Sequence, residues 1–558
     1  MIVQSIVEFL GAHTTEVILY SLALFTVYSL VSGYNKPQVI DTTTNEPPAV
    51  IGLPTSLPWL FPKTRTRLAS ISNTHKWVQE GYQKYNKHGK AFKVHLISGD
   101  MIILPQDMVT ETKNMPHNMV DIKSLEALAV RYTFDEYVNA DLFHVGVIRK
   151  DLTARLAAVT PAIVEELDLA FRHYIPKLAT APDEKGWREV TMYDLVLKVV
   201  ARTSHRVFLG EELCREEEYL DLSIKYAITV FPTGMLINCF PKFLHPIVGP
   251  ILATPLRIFR RKARKFLDPI ILKRLAQIRD GIPESERPND LMQWLIEASL
   301  ARGGGFATVD AIAVRVLTVA FAAIHTTSLS GTNTFYDLAH LSSLTPNDAY
   351  DRDPADLLRA ELLDVFPPPH EFNKRYMQRL YNLDAFLKET LRLRLVGATH
   401  SERLVTARAG ITTKSGLYLP YGTAFSFPGS PRLADPDVFE KPTEHRHVRF
   451  YRGDVANAAD EDVDEIVFAG DAKGGAADKK LDRYMVTVTE DFPVFGVGVH
   501  ACPGRFFAAN ELRILIAWFI LRYDLKPIAT RPPPSWFVCI DIMNTTARLH
   551  IREREVEE

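Results

Sequence analysis

The feature that most constrains this chain is one cysteine at the junction of a glycine-rich loop and an apolar helix. The segment FPVFGVGVHACPGRFF places Cys502 directly before a helix predicted from about Arg505 to Tyr523. Pro503 suits the first helical position, and Gly498 and Gly504 allow close approach of the backbone. Amide groups and the helix N-terminus can therefore surround and stabilise a thiolate, whereas an isolated cysteine is usually a small buried hydrophobe.

The residues of this loop also follow a characteristic spacing. Phe495, Gly498, His500, Cys502 and Gly504 match F-x-x-G-x-[RH]-x-C-x-G. In this the loop resembles the haem-binding loop of the cytochrome P450 family, whose cysteine thiolate is the axial iron ligand. The resemblance implies that Cys502 binds the iron of haem b and that Phe495 packs near the sulfur. It also implies that Gly498 and Gly504 permit the loop and that His500 bonds a haem propionate.

A second motif lies on the helix predicted from Asn373 to about Arg394. Glu389 and Arg392 are three residues apart on one helical face and, taken alone, would be a surface ion pair. In the family this is the E-x-x-R motif, and the later segment DPDVFEKPTEHRHVRF resembles the loop that supplies a second arginine. The register favours Arg449 as that partner, with Arg446 as the competing choice. A buried Glu–Arg–Arg network would stabilise the loop beside the haem rather than perform chemistry.

A long helix, predicted from about Asp310 to beyond Ala339, carries the segment FAAIHTTS. Taken alone, it is a core helix whose threonines bond back to carbonyls one turn earlier. The resemblance implies that Thr326 orients water and delivers protons toward the iron. His325 replaces the family's usual acid and could relay protons, since an imidazole ordinarily titrates near neutrality. The segment is similar to a fungal branch of the family that includes terpenoid-oxidising enzymes.

Three further stretches are expected to line the substrate pocket. They are Phe321 and Ala322 on the long helix, Val396–Thr399 after the E-x-x-R helix, with Val396 and Thr399 as the contacts, and Met543–Thr545 near the C-terminus. Apolar residues dominate them, so a lipophilic substrate such as a terpenoid or a sterol is expected, and a fatty acid stays open.

The N-terminal region predicts a membrane anchor. The run VILYSLALFTVYSLV is uncharged, and the first basic residue of the chain is Lys36, which directs the remainder to the cytosol. A cleaved signal peptide is the alternative, but residues 1–15 contain no Lys or Arg. We therefore predict an anchor at 1–33, a proline-bearing linker at 34–65 and a haem-thiolate monooxygenase domain at 66–558. An Ala-, Gly- and Asp-rich surface insertion is predicted at 452–482, and the expected location is the endoplasmic reticulum membrane.

Charge and cysteine content exclude other classes of protein. The 558 residues contain 65 Lys and Arg against 67 Asp and Glu, so no whole-chain basic field attracts nucleic acid. The four cysteines lie far apart without a CxxC pair, which excludes a disulfide scaffold and favours a reducing compartment.

The predicted fold class is mainly α with a small β portion, that is, a cytochrome P450 fold preceded by one transmembrane helix. The family's W-x-x-x-R motif is absent. The corresponding segment, FHVGVIRKDLTAR, contains His144 and Arg149 but no tryptophan. The resemblance implies a monooxygenase that uses O₂ and electrons from NADPH, delivered by NADPH–cytochrome P450 reductase to oxidise a lipophilic small molecule. The alternatives are a haem-thiolate isomerase or dehydratase that needs no reductase, and a non-enzymatic membrane haem sensor.

Overall fold

Apolar side chains at helical spacing make most of the described chain α-helical. The computed structural model describes residues 38–53, 62–122, 128–240, 242–347, 350, 352–366, 372, 374–451 and 484–555. The predicted anchor at 1–33 and the predicted insertion at 452–482 lie outside these residues. The helices are α1 (Pro62–Lys84), α2 (Val109–Thr112), α3 (Val130–Thr133), α4 (Glu136–Ala140), α5 (Phe143–Val147), α6 (Leu156–Leu178), α7 (Met192–Leu209), α8 (Glu211–Cys214), α9 (Glu217–Asn238), α10 (His245–Leu252), α11 (Thr254–Arg279), α12 (Leu291–Arg302), α13 (Val309–Ser342), α14 (Pro354–Val365), α15 (Lys374–Met377), α16 (Tyr381–Leu393), α17 (Ser430–Leu433) and α18 (Arg505–Arg522).

The strands form small sheets at the edges of the helical body. They are β1 (Ile40–Asp41), β2 (Ala49–Ile51), β3 (Phe92–Leu96), β4 (Gly99–Ile103), β5 (Val120–Ile122), β6 (Trp187–Thr191), β7 (Thr399–Val405), β8 (Ile411–Thr412), β9 (Leu417–Leu419), β10 (Ala424–Pro428), β11 (Tyr523–Leu525), β12 (Ser535–Phe537), β13 (Ile540–Ile542) and β14 (Arg548–Glu553). The largest sheet has the order β2-β3-β4-β10-β7-β5, and the others are β1-β9-β8, β11-β14-β6 and β12-β13. The mainly α class with a small β portion is as predicted.

Helix α13 is central to the core. It packs against α7, α9, α11, α12 and α18, and most of its residues are buried. At Gly331 an added Cβ would lie 2.8 Å from Leu515 Cδ2, so a small residue is needed where α13 approaches α18. Helices α9 and α13 are long and apolar enough to cross a bilayer, but 56% of each apolar window is buried inside the fold. Their hydrophobicity is therefore that of core helices.

Two segments differ from the expectation. The helix predicted from Asn373 to Arg394 is interrupted, because the chain leaves helical geometry between α15 and α16. Within the predicted linker, β1 pairs with β9 and β2 pairs with β3, so these residues belong to the sheets of the folded body.

Candidate active site

The loop before α18 is wound tightly around Cys502. The Cys502 N–H donates to the Phe495 carbonyl at 2.7 Å, and the Ala501 N–H donates to the Gly498 carbonyl at 3.0 Å. Gly498 has a φ of +66°, and an added Cβ would lie 2.2 Å from the Lys113 carbonyl oxygen. Glycine is therefore required there by both backbone conformation and space. The loop fixes the cysteine three residues before the first residue of α18.

The protein groups around Cys502 favour the neutral thiol over the thiolate. Burial raises the pKa of the Cys502 thiol, and the N–H of Gly504 and the charge of Arg505 oppose this only in part. The amide N–H groups at the start of α18 therefore favour the thiolate, but they do not outweigh burial. A metal cation on the sulfur would supply the missing stabilisation, because a coordinating thiol is deprotonated. Among the described residues, no group of three or more His, Cys, Asp or Glu could hold a metal ion.

Cationic and imidazole side chains gather beside this loop. His500 is half-buried, its ring meets His117 edge-on at 4.8 Å, and its buried Nε2 has no hydrogen-bond partner among the described residues. Burial, together with the charge of Arg403, lowers the pKa of His500 to about 4. Arg403 itself is 5% exposed, and burial lowers its pKa to about 10. His117 Nδ1 lies 3.1 Å from Asp121 Oδ1, so the cluster already holds a carboxylate. Haem propionates would add acceptors for His500 Nε2 and for Arg403.

Arg149 also reaches the cysteine loop, although the usual motif around it is missing. Its Nη2 donates to the Val499 carbonyl at 3.0 Å. Residues Ile148–Leu152 form a π-helical turn, in which residues five apart rather than four lie above one another. His144 and Arg149 are five residues apart, so they lie on nearly the same side of this turn. His144 is buried, and its Nδ1 lies 3.1 Å from Arg315 Nη1.

The middle of α13 opens on one side. Ala322 and Thr326 are exposed one turn apart, whereas Ile324 and Thr327 are buried. The Thr326 Oγ1 donates to the Ala322 carbonyl at 2.9 Å, which leaves its lone pairs available to accept a hydrogen bond. His325 is half-buried with a buried Nε2 that has no partner within the described chain, and burial lowers the pKa of His325 to about 4. His325 is therefore neutral at physiological pH and does not titrate near neutrality.

Glu389, Arg392 and Arg449 lie together. Glu389 and Arg392 are fully buried, and the Glu389 carboxylate accepts from Arg392 Nε at 2.7 Å and Nη2 at 2.8 Å. Arg449 Nε donates to Glu389 Oε1 at 3.0 Å, and the competing Arg446 contributes its backbone N–H at 3.1 Å. Burial by itself raises the pKa of Glu389, but the hydrogen bonds and charge of Arg392 outweigh it and lower the pKa.

Two of the three predicted pocket stretches adjoin each other. The Ala398 N–H donates to the Cys539 carbonyl at 2.7 Å, and the Asp541 N–H donates to the Val396 carbonyl at 2.8 Å. The hairpin β12–β13, which ends just before Met543–Thr545, is thereby joined to the segment Val396–Thr399. Val396 is 40% exposed and Thr399 is half-buried. Phe321 on α13 is half-buried and meets Phe134 at 5.5 Å instead.

Sequence reasoning missed three residues near the site. Arg403 and His117 carry no motif of their own, and only the sheet and the loop bring them to His500. Arg315, fully buried on α13, donates to the carbonyls of Asp141 at 2.9 Å and Tyr137 at 3.0 Å. An arginine inside an apolar helix was the available signal, since such residues are almost never fully buried unless paired.

A loop-held cysteine at a helix start, a cation cluster beside it and a threonine on an open helix face define a haem-thiolate protein. A comparison with protein families matches residues 54–546 to Cytochrome P450. The chain belongs to the cytochrome P450 family and is a haem-thiolate monooxygenase. It is similar to cytochrome P450 monooxygenase AN1598 of Emericella nidulans, with 31% identity covering 85% of this chain and 82% of the relative. Cytochrome P450 monooxygenase 151 of Postia placenta is 31% identical (86% and 88%), and paxP of Penicillium paxilli is 29% identical (84% and 83%).

Proposed function

We propose that this monooxygenase binds haem b through Cys502 and oxidises a terpenoid or similar lipophilic molecule in fungal secondary metabolism. Electrons would come from NADPH through NADPH–cytochrome P450 reductase, so that O₂, NADPH and a proton give the hydroxylated product, water and NADP⁺. The observation that carries the proposal is the Cys502 loop, which holds a half-buried cysteine directly before α18 on a backbone that only glycine permits at position 498. When bound, haem supplies the activation of O₂ and the transfer of one oxygen atom.

The protein's own side chains divide the remaining tasks. His500, Arg403 and Arg149 would hold the propionates, while Phe495 packs near the sulfur, and the predicted loop glycines leave room for the ring. Thr326 would hold a water at its Oγ1 and pass protons inward from the open face of α13. His325, neutral at physiological pH, would act as a hydrogen-bonding group rather than as a charged acid. Glu389, Arg392 and Arg449 would stabilise the fold beneath the cysteine loop.

A cavity of about 280 Å³ lies beside α3 and the start of α11. Phe134, Tyr226 and Leu256 line it together with charged residues, which are Arg131, Asp135, Glu136, Arg257 and Arg260. Phe134 also contacts Phe321, which was predicted to line the pocket, at 5.5 Å. One buried aromatic ring therefore separates the cavity from the predicted substrate side of α13. Phe321, Ala322, Val396 and Thr399 remain proposed contacts for the substrate.

We further propose that residues 1–33 anchor the chain in the endoplasmic reticulum membrane with the catalytic domain in the cytosol. Residues 34–65 would lead from the anchor into the folded body, to which β1 and β2 already belong. Residues 452–482 would form a surface insertion. Exposed aliphatic side chains on α10 support a membrane location, because Ile247 and Ile251 are 62% and 63% exposed. Isolated exposed hydrophobic residues are ordinary, but a cluster marks an interaction surface.

The proposal is tested by the absorption spectrum of the reduced, carbon-monoxide-treated full chain in membranes. Wild type and the matched control Cys214→Ala, which removes another buried cysteine on α8, should show the long-wavelength Soret band of thiolate ligation. Cys502→Ala should lose that band. A long-wavelength band that persists in Cys502→Ala would refute the ligand assignment. Substrate-dependent O₂ uptake that requires NADPH and reductase would separate a monooxygenase from a reductase-independent isomerase and from a sensor.

A further inference from the structure

A stripe of polar side chains continues along α13 beyond Thr326. Ser330, Asn333 and Asp337 follow Thr326 at steps of three or four residues, so the four lie on one side of the helix. Thr326 is exposed, Ser330 and Asn333 are half-buried, and Asp337 is buried. This polar stripe, which comprises Thr326, Ser330, Asn333 and Asp337, therefore runs from the open face of α13 into the body of the protein.

Two side chains in the middle of the polar stripe keep free hydrogen-bonding atoms. Ser330 Oγ and Asn333 Nδ2 have no partner within the described residues, and neither atom is completely buried. By contrast, Ser328 and Thr332, on other sides of α13, donate to carbonyls one turn earlier at 2.6 Å and 2.8 Å. Successive members of the stripe are about 4.5–6 Å apart along the helix axis, a distance that one bridging water spans.

The polar stripe ends in a cluster of two arginines and two aspartates. Arg531 Nη2 donates to Asn333 Oδ1 at 2.7 Å, and Arg531 Nε donates to Asp337 Oδ1. Arg394 Nη2 donates to the same Asp337 oxygen at 3.3 Å. Asp541 on β13 lies close enough to both arginines for their charges to act on its carboxyl group. The cluster therefore joins α13 to the hairpin β12–β13.

Three buried polar atoms in this cluster have no hydrogen-bond partner among the described residues. They are Asp337 Oδ2, Arg394 Nε and Asp541 Oδ1. Asp337 is only 2% exposed, so its second oxygen cannot be satisfied by bulk solvent. Buried polar atoms ordinarily have partners, and water suits a site that presents both acceptors and a donor. The cluster is therefore a site for bound water at the inner end of the polar stripe.

Asp541 is the member of the cluster whose charge can change near neutral pH. Burial raises the pKa of Asp541 to about 6, although the charges of Arg394 and Arg531 oppose this. Burial also acts on Asp337, but there the charges of the same arginines prevail and lower the pKa to about 2. His445, which faces Asp337, is neutral because burial lowers its pKa to about 4. Asp541 is thus the one of these groups that can take up and release a proton under physiological conditions.

We propose that the Asp541 carboxyl group supplies protons to Thr326 through water held along the polar stripe. Each proton passed inward leaves a carboxylate, which takes a proton from solvent, so the side chain is unchanged after the transfer. Asp541 is half-buried and can exchange with solvent. His325 beside Thr326 is neutral at physiological pH, so an acid from elsewhere in the fold is needed. The proposal rests on the proposed function only for the role of Thr326.

Infrared titration of the full chain tests the protonation of Asp541 without turnover. Between about pH 5 and 7 the wild type should lose the stretching band of one protonated carboxyl group, and Asp541→Asn should lack this change. Glu361→Gln is the matched control, because Glu361 on α14 is a half-buried carboxyl group whose pKa is raised to about 7 by burial. The change near pH 6 should persist in the control. An unaltered titration in Asp541→Asn would overturn the proposal.

The second measurement is the fraction of consumed O₂ that is released as peroxide, with NADPH, reductase and limonene as the probe. In Asp541→Asn this fraction should rise by about threefold or more at pH 6, where the wild-type carboxyl group is half protonated. In the wild type it should rise as the pH increases from 6 to 8, because Asp541 loses its proton, and in Asp541→Asn it should stay high throughout. Asn333→Leu should reproduce the rise, whereas Asp541→Glu should restore the wild-type value.

Glu361→Gln should release peroxide as the wild type does. A wild-type peroxide fraction and pH profile in Asp541→Asn would overturn the proposal, as would an equal rise in Glu361→Gln. All variants should keep the long-wavelength carbon monoxide band, because Asp541 lies far from the cysteine loop in the chain. A wild type without that band would refute the proposed function instead, and the infrared titration would still decide whether Asp541 holds a proton near neutral pH.

Discussion

Removing the Glu389 carboxylate should destabilise this protein more than the loss of almost any exposed ion pair. Glu389 is fully buried and accepts three side-chain hydrogen bonds from Arg392 and Arg449, and one from the Arg446 backbone. In Glu389→Ala the Arg392 guanidinium stays buried. It keeps the carbonyls of Leu433 and Pro442 as acceptors, but it loses its charge partner.

The expected loss is about 3–5 kcal/mol of the free energy of unfolding, which is what breaking a buried pair by removing one partner usually costs. A domain is stable by only about 5–15 kcal/mol, so this change alone approaches the limit of folding. Arg449→Ala should lower the free energy of unfolding by less. The Arg449 side chain is 11% exposed, and this substitution removes only one of the hydrogen bonds to the Glu389 carboxylate.

The measurement is urea unfolding of the detergent-solubilised full chain, followed by far-ultraviolet circular dichroism. Glu80→Ala is the control, because Glu80 and Lys84 form an exposed pair one turn apart on α1 that contributes about 0.5 kcal/mol or less. A Glu389→Ala loss no larger than that of the control would refute the reasoning. The pH dependence gives a second check. Since the pKa of Glu389 is lowered by folding, its contribution is complete above the unfolded-state pKa of about 4.3 and is lost as the pH falls through the lower folded-state pKa.

Three further predictions use other parts of the site. Thr326→Ala should retain haem but lower the yield of product per NADPH by about tenfold or more and release peroxide, with Thr326→Ser as the control. Tightly coupled turnover in the alanine variant would contradict the role of Thr326 in proton delivery. Arg315→Met should lower stability by about 1–2 kcal/mol, because two half-buried carbonyls lose their donor, and should speed hydrogen exchange in residues 137–147 more than elsewhere. Glu511 is fully buried and accepts a hydrogen bond from Ser204, and burial raises the pKa of Glu511 to about 8. Its contribution to stability is therefore complete below the unfolded-state pKa and is lost as the pH rises through 8. Glu511→Gln should therefore flatten the fall in thermal stability between about pH 5 and 9, and an unchanged fall would show that another group titrates.

Features encoded by neighbouring residues could be predicted from the sequence. The long helix begins as expected, because the Thr308 Oγ1 accepts the Ala311 N–H at 3.3 Å and caps it. The last long helix ends within one residue of its predicted limit. The turn signal Lys414-Ser415-Gly416 lies between β8 and β9, which pair as a hairpin. In each case a cap, a turn signal or a periodic run of apolar residues lies within the element itself.

Features that depend on distant contacts could not be predicted in this way. Strand β6 pairs with β14, where Thr191 faces Arg548, and nothing in either short segment specifies a partner so far along the chain. The protonation of His325 is a similar case. Its residue type suggests titration near neutrality, but burial inside the fold lowers its pKa to about 4. Burial is a property of the packed structure, so the sequence pattern could not supply it.

The π-helical turn at Ile148–Leu152 explains how a motif can be lost while the position of a charge is kept. The segment has no tryptophan, and Arg149 lies five residues after His144 instead of four. On a regular α-helix that extra residue would rotate Arg149 by about 100° away from the face it shares with His144. The π turn absorbs the extra residue, and Arg149 Nη2 reaches the Val499 carbonyl of the cysteine loop. The π turn therefore lets a cation contact the cysteine loop at a residue spacing that a regular α-helix would not allow.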